Sequence, residues 1–160
     1  MIYFSEHDSP LGKLLLAATE AGISGVYFEE HRHFKGKDDG WQYAPEHPHL
    51  MRAAQQLDEY FAGRRRQFDL PLDLHGTEFQ QAVWRGLLDI GFGQTSTYTQ
   101  HAGHCGKTNA VRAVGTAIGR NPLSIIVPCH RVLGMSGALT GFAGGLERKA
   151  YLLRHEQAIK

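Results

Sequence analysis

Three β-branched residues, Ile125-Ile126-Val127, run straight into Pro128-Cys129-His130-Arg131-Val132, and that junction limits what the chain can become. Apolar β-branched residues favour a buried strand. Pro128 has no N–H to give to a ladder, so a strand has to end there. Cys129 is therefore expected where a buried strand over 125–127 stops, with an imidazole and a guanidinium next in line. A thiol becomes a strong nucleophile when it ionises, and neighbouring basic or cationic groups favour the thiolate. Successive side chains of an extended segment point to opposite faces, so Cys129 and His130 can cooperate only in a turn or a short helix. Most buried cysteines are simply small hydrophobes. On these residues alone both readings stay open.

A chain of 160 residues suits one domain, or two small ones sharing an interface, and buries a core without metals or disulfides. Its two cysteines, Cys105 and Cys129, are too few for a disulfide framework or a Cys-rich zinc site, and they fit a reducing compartment. No run of eighteen apolar residues is present, and Met1–Glu6 does not read as a signal peptide, so the expectation is a soluble, cytoplasmic protein without membrane partners. The charge is unevenly spread. Residues 1–76 carry eight Lys and Arg against twelve Asp and Glu, whereas residues 77–160 carry nine against four. An acidic first half and a basic second half point to the second as the part that meets a polyanion.

In the first half, Ile2–His7, Leu11–Thr19 and Ile23–Glu29 read as strands joined by the turn-forming Asp8–Gly12 and Glu20–Gly22. The polar tract His31–Pro48 reads as a long loop. A helix is expected over His47–Ala62, where Leu50, Ala53, Ala54, Leu57 and Phe61 recur at helical spacing, and a further strand over Asp69–Leu74. His31, His33, His47 and His49 lack Cys or acidic partners at ligand spacing, and they read as solvated loop histidines and not as a metal site.

Leu74-His75-Gly76-Thr77 is the seam between an N-terminal supporting domain, residues 1–76, and a C-terminal domain, residues 77–160. Thr77-Glu78-Phe79-Gln80 has the pattern of a capping box, and Phe79, Val83, Leu87 and Leu88 form a stripe behind it. Thr97-Tyr98-Thr99-Gln100 repeats the pattern and opens a short helix to about Ala102, broken at Gly103. Lys107-Thr108-Asn109 is expected to cap the next helix, where Val111, Val114, Ala117 and Ile118 face inward. Two short helices around a Gly-containing turn make a helix-turn-helix candidate. The second offers small residues, Ala110, Ala113, Gly115 and Ala117, with Arg112 as its long cation. Five glycines between Leu133 and Gly145 describe a loop shaped as a wing or lid over the cysteine. Leu146, Ala150 and Leu153 then share one face of a last helix ending near Gln157.

Pro128-Cys129-His130-Arg131-Val132, with Asn121-Pro122 before it, Gly141-Phe142-Ala143-Gly144-Gly145 after it and Leu152-Leu153-Arg154-His155-Glu156 at the close, resembles the active-site region of the O6-alkylguanine-DNA alkyltransferases. The similarity covers about half of the chain, from Thr77 on. It implies an α+β protein: a small ribonuclease-H-like α/β domain followed by a helical, winged helix-turn-helix domain. It implies direct, single-turnover repair, in which an alkyl group moves from guanine O6, and also from O4 of thymine, to Cys129.

Under that resemblance His130 is the base, acting through a water, and Glu156 orients it. Asn121 holds the turn that carries the cysteine. Tyr98 bonds the guanine and the target phosphate. Backbone groups of Val132 and Ala143 read the guanine edge while Phe142, a Phe where many relatives have Tyr, packs on its face. Arg112 enters the minor groove of double-stranded DNA and fills the space of the extruded base, with Thr108, Ala110 and Arg131 as further DNA contacts. The resemblance implies a monomer needing no cofactor and no metal. Two rivals remain, a Cys–His hydrolase and a non-catalytic DNA-binding regulator.

Overall fold

Alternating apolar and polar residues close residues 3–28 into an antiparallel meander. In the computed structural model, which describes residues 1–29 and 37–160, β1 is Tyr3–Ser9, β2 Gly12–Thr19 and β3 Gly22–Phe28. Ser9 pairs with Gly12 at the first hairpin, where Gly12 takes φ +100° and the Ser9 hydroxyl donates to its carbonyl at 2.6 Å. Of the tract read as a loop, Gln42–Tyr43 is instead a short strand, β4, parallel to β1. The sheet order is β3-β2-β1-β4. His31 and His33 lie outside the described residues. His47 caps a helix and stacks on Tyr3, and His49 bonds the carbonyl of Glu20.

Helix α1, Pro48–Phe61, lies on this sheet through Leu50, Ala53, Leu57 and Tyr60. The inward residue of its last turn is Tyr60, 2 % exposed, and not Phe61 as the spacing suggested. The expected strand over 69–74 reduces to a single bridge, Leu72 to Ile23, fastened by Ile23 N–H to Pro71 O and Asp73 N–H to Ile23 O. Pro71 sits in its middle without a donor, which stops a longer ladder.

The second half is helical. Helix α2, Glu78–Leu87, opens with both bonds of the Thr77/Gln80 capping box, and α3, Tyr98–His104, with both bonds of the Thr97/Gln100 box. Gly103 does not break α3. The turn comes at Gly106, whose φ of +71° an L side chain would resist. Thr108–Ala110 forms a 3-10 turn without a side-chain cap, and α4, Val111–Gly119, follows it. Trp84 donates its indole N–H to Ala117 O at 2.8 Å, locking α2 across α4, while Val114, Ala117 and Ile118 fill the core. Helices α3 and α4 form the helix-turn-helix. Ser96–Thr97 (β5) pairs in parallel with Val132–Leu133 (β6) at the base of the wing, and α5, Leu146–His155, closes the chain. The architecture is α+β, and one core runs through both halves. Leu123 joins them through a bridge to Val26.

Candidate active site

The segment expected to be a strand before Cys129 is a pair of tight turns. Ile126 N–H bonds Ser124 O at 2.8 Å around Ile125, a β-branched residue at φ +74°. Cys129 N–H bonds Val127 O at 2.8 Å around Pro128, at φ −82° and ψ 62°. These are three-residue turns of opposite hand, and the first is strained. The apolar residues are buried as predicted, but the bridge to β3 ends at Ser124, whose N–H bonds Val26 O, and residues 125–127 pair with no strand among the described residues. Asn121 supplies the missing partners: its Oδ1 accepts Leu123 N–H at 3.0 Å and its Nδ2 donates to Val127 O at 2.8 Å. Strain at such a position persists only when the surroundings over-determine it, and it concentrates at functional sites.

Cys129, His130 and Arg131 then form one 3-10 turn, which meets the requirement that Cys129 and His130 leave extended geometry. His130 is fully buried, and its Nε2 lies 2.8 Å from Glu156 Oε2. Burial alone would raise the Glu156 carboxyl, but the bonds and charges of His130 and Arg131 outweigh it and hold it down at about 2. An ionised carboxylate accepts only, so Nε2 carries the imidazole proton and Nδ1 keeps a lone pair. That Nδ1 is buried and has no hydrogen-bond partner among the described residues. Burial keeps the imidazole neutral, with Arg131 and Lys149 acting in the same direction and Glu156 against it. Burial also pushes the Cys129 thiol up, while Asn121 and Lys149 pull it part of the way back. The resting pair is a neutral thiol and a neutral imidazole with a free acceptor atom.

Arg131 is not available to DNA, contrary to the expectation. It is 7 % exposed, forks onto both oxygens of Glu156 (Nε to Oε1 2.8 Å, Nη2 to Oε2 3.0 Å) and donates a third bond to Ile90 O. Its planar donors make it the counter-ion of the carboxylate.

Tyr98 starts α3 with its ring against Gly115 of α4, and its hydroxyl donates to Thr140 O of the wing at 3.0 Å. Gly141 allows this approach, since a Cβ there would stand 3.1 Å from the Tyr98 hydroxyl. Phe142 and Ala143 are buried at 8 % exposure, and Phe142 meets Phe28 of β3 edge-on at 5.9 Å. Gly144 makes that contact possible, because a Cβ would come within 2.4 Å of the Phe28 ring. Arg112 and Thr108 are exposed and Ala110 half-buried, all at the start of α4 and away from the core.

Two buried polar residues at this site, Lys149 and Tyr60, escaped sequence reasoning. Lys149 has no exposed surface and, among the described residues, no carboxylate partner; its ammonium donates to Val132 O and Thr140 O at 2.6 Å each and to Gly141 O at 3.3 Å. Burial lowers it to about 8, with the Cys129 charge acting the other way. Its signal was its place: Leu146, the expected start of the inward stripe, is 48 % exposed, and Lys149 one turn on faces inward instead. Tyr60 is the other, its hydroxyl donating to Glu156 Oε2 at 2.6 Å. Among the described residues no group of three or more His, Cys, Asp or Glu is arranged to hold a metal, and no helix is long and apolar enough to cross a membrane.

Residues 2–74 match the ribonuclease-like domain of the 6-O-methylguanine DNA methyltransferases, and residues 78–158 match their DNA binding domain. A methylated-DNA–protein-cysteine methyltransferase of Methanosarcina acetivorans is 44% identical over 155 residues, 97% of this chain and 98% of its own. The enzyme of that name from Mycobacterium tuberculosis is 43% identical over 158 residues, covering 99% of this chain and 94% of its own. A crystal structure of Mycobacterium tuberculosis OGT in complex with DNA superposes with a TM-score of 0.90 at 43% identity, over 98% of this chain and 93% of that one.

Proposed function

The chain belongs to the 6-O-methylguanine DNA methyltransferase family, a DNA-binding repair protein that transfers an alkyl group from O6-alkylguanine to a cysteine, and from that premise we propose that the cysteine is Cys129 and that its machinery is the turn, base and carboxylate described above. The observation that supports this most is the His130–Glu156 pair, buried beside Cys129 with Nδ1 free to accept a proton. In the reaction the thiol proton passes to Nδ1, directly or through one water. The thiolate sulfur attacks the alkyl carbon, the carbon–O6 bond breaks, and guanine leaves with the electron pair on its ring, where a proton donor neutralises it. Glu156 stabilises the imidazolium, and the Lys149 ammonium favours the thiolate. No step restores the thiol, so each chain reacts once.

Tyr98 is placed to donate to the departing guanine once its hydroxyl lets go of Thr140. Phe142 and backbone groups of Val132 and Ala143 line the base. Helix α4 enters the minor groove with Thr108 and Ala110 near the backbone and Arg112 as the wedge; small residues and one long cation suit that groove. The protein acts as a monomer in the cytoplasm, and O4-alkylthymine, with an equivalent alkyl oxygen, is a second substrate.

A single-turnover assay with methyl-labelled duplex tests the reading, with label expected on protein up to one per chain and none beyond. Arg112→Ala is expected to slow transfer from duplex DNA by about tenfold to a hundredfold, since the wedge offsets an extrusion cost of a few kcal/mol. Transfer from a free alkylated guanine base, which needs no extrusion, stays within about twofold. The pH profile carries a second expectation. Above about 8 the Lys149 ammonium loses its proton, the positive field at Cys129 goes, and the transfer rate falls. Stopped-flow measurements from pH 6 to 10 check this, and a rate that climbs steadily through pH 9 contradicts it.

A further inference from the structure

Tyr60 reaches the candidate catalytic carboxylate from the other half of the chain. It lies in the last turn of α1, ninety-six residues from Glu156, and its hydroxyl donates to Glu156 Oε2 at 2.6 Å. The same oxygen accepts His130 Nε2–H at 2.8 Å and Arg131 Nη2–H at 3.0 Å. The ring is fixed on several sides, by Phe61, Phe68, Phe92 and His155, and the Tyr60 carbonyl accepts His155 Nε2–H at 2.7 Å. A phenol held so tightly, with its one proton aimed at one carboxylate oxygen, does more than fill space.

We infer that Tyr60 is a positioning residue for alkyl transfer: from the first-half helix, its hydroxyl sets the direction and the charge of the Glu156 oxygen that holds His130. The inference rests on the roles proposed above for Cys129, His130 and Glu156. It changes what the first half is for, because α1 then supplies a member of the proton-handling network and not only a scaffold.

The surrounding charges isolate the effect. Arg131 forks onto the same carboxylate and sets its overall charge. Lys149 is held by the carbonyls of Val132, Thr140 and Gly141, on the side of Cys129. His155 bonds the Tyr60 backbone, and Tyr151 stacks on His155. Burial pushes the Tyr60 hydroxyl far above its ordinary range, so it stays protonated and acts as a donor throughout the working pH range.

With the phenol gone, Oε2 has one donor fewer. Its bond with His130 Nε2–H strengthens, and a stronger carboxylate partner raises the proton affinity of Nδ1. The imidazole is then protonated, and unable to take the thiol proton, up to a higher pH. Tyr60→Phe is expected to shift the acid limb of the transfer-rate profile up by about half to one pH unit, which slows transfer about threefold to tenfold on that limb and changes it little at higher pH. Placing 3-fluorotyrosine at position 60 makes the donor stronger and moves the limb the other way, with one ring hydrogen replaced by a slightly larger fluorine. The measurement is single-turnover transfer to each protein from pH 4.5 to 8, with thermal unfolding alongside. Opposite shifts in the two variants support the inference. An acid limb that stays in place in both overturns it, as does a loss in Tyr60→Phe that is equal at every pH and follows melting temperature. Wild-type protein that transfers nothing would instead remove the functional reading beneath it, and that outcome is visible before any variant is compared.

Discussion

Cys129→Ser loses alkyl transfer by at least about a thousandfold while still binding DNA that carries O6-methylguanine. The two side chains differ by one atom, so the turn held by Asn121 and the 3-10 turn over 129–131 survive, and stability changes by less than about 1 kcal/mol. What changes is the nucleophile. A serine hydroxyl is far harder to ionise than a thiol, and a neutral imidazole at Nδ1 takes a proton from a thiol much more readily than from an alcohol. Gel-shift titration against lesion duplex, beside a transfer assay, separates the two effects. A regulator that only bound DNA would keep its whole function in this variant. A hydrolase would show repeated turnover in the wild type on a small ester or amide.

Glu156→Ala has the largest expected effect on folding. Glu156 is 2 % exposed and receives Tyr60, His130 and both forks of Arg131. Its removal leaves a guanidinium buried without a counter-ion, and breaking such a pair costs about 3–5 kcal/mol. Native domains are stable by roughly 5–15 kcal/mol, so the variant sits near the edge of folding. Urea denaturation followed by tryptophan fluorescence measures this, with Trp84 buried between α2 and α4 as one reporter. Acid tests the same carboxylate in the wild type. Its folded value is depressed to about 2 from an ordinary 4.5. Its stabilisation is therefore complete above about 4.5 and is lost as pH falls towards 2. A denaturation midpoint that does not move between pH 5 and 3 contradicts that assignment.

The capping boxes at Thr77 and Thr97 were legible because they are local: four residues contain both partners of each bond. The three strands of the meander and the span of α1 were legible for the same reason, being set by periodicity and turn residues. Errors arose where a distant partner decided the outcome. Ile125-Ile126-Val127 has the composition of a strand, but Asn121 and the strained turn at Ile125 claim its backbone groups, and no periodicity records that. Arg131 reads as a free cation until Glu156, twenty-five residues later, folds back onto it. Helix α5 was placed correctly, yet its buried face was read from Leu146, which hid the buried Lys149. Tyr60 was passed over because nothing near it in sequence is acidic and buried; its partner lies in the other half. The resemblance to the alkyltransferases rested on the segment around Cys129, where short-range geometry and chemistry coincide. It could not show how the first half meets that segment.

Intact mass of the protein after mixing with an excess of duplex carrying one O6-methylguanine tests the central claim most directly. The account predicts a gain of one methyl group on each chain, located after digestion on the Cys129 peptide, with no further gain however much lesion is present. An unchanged mass, a methyl group on Cys105, or product exceeding the amount of protein would contradict it.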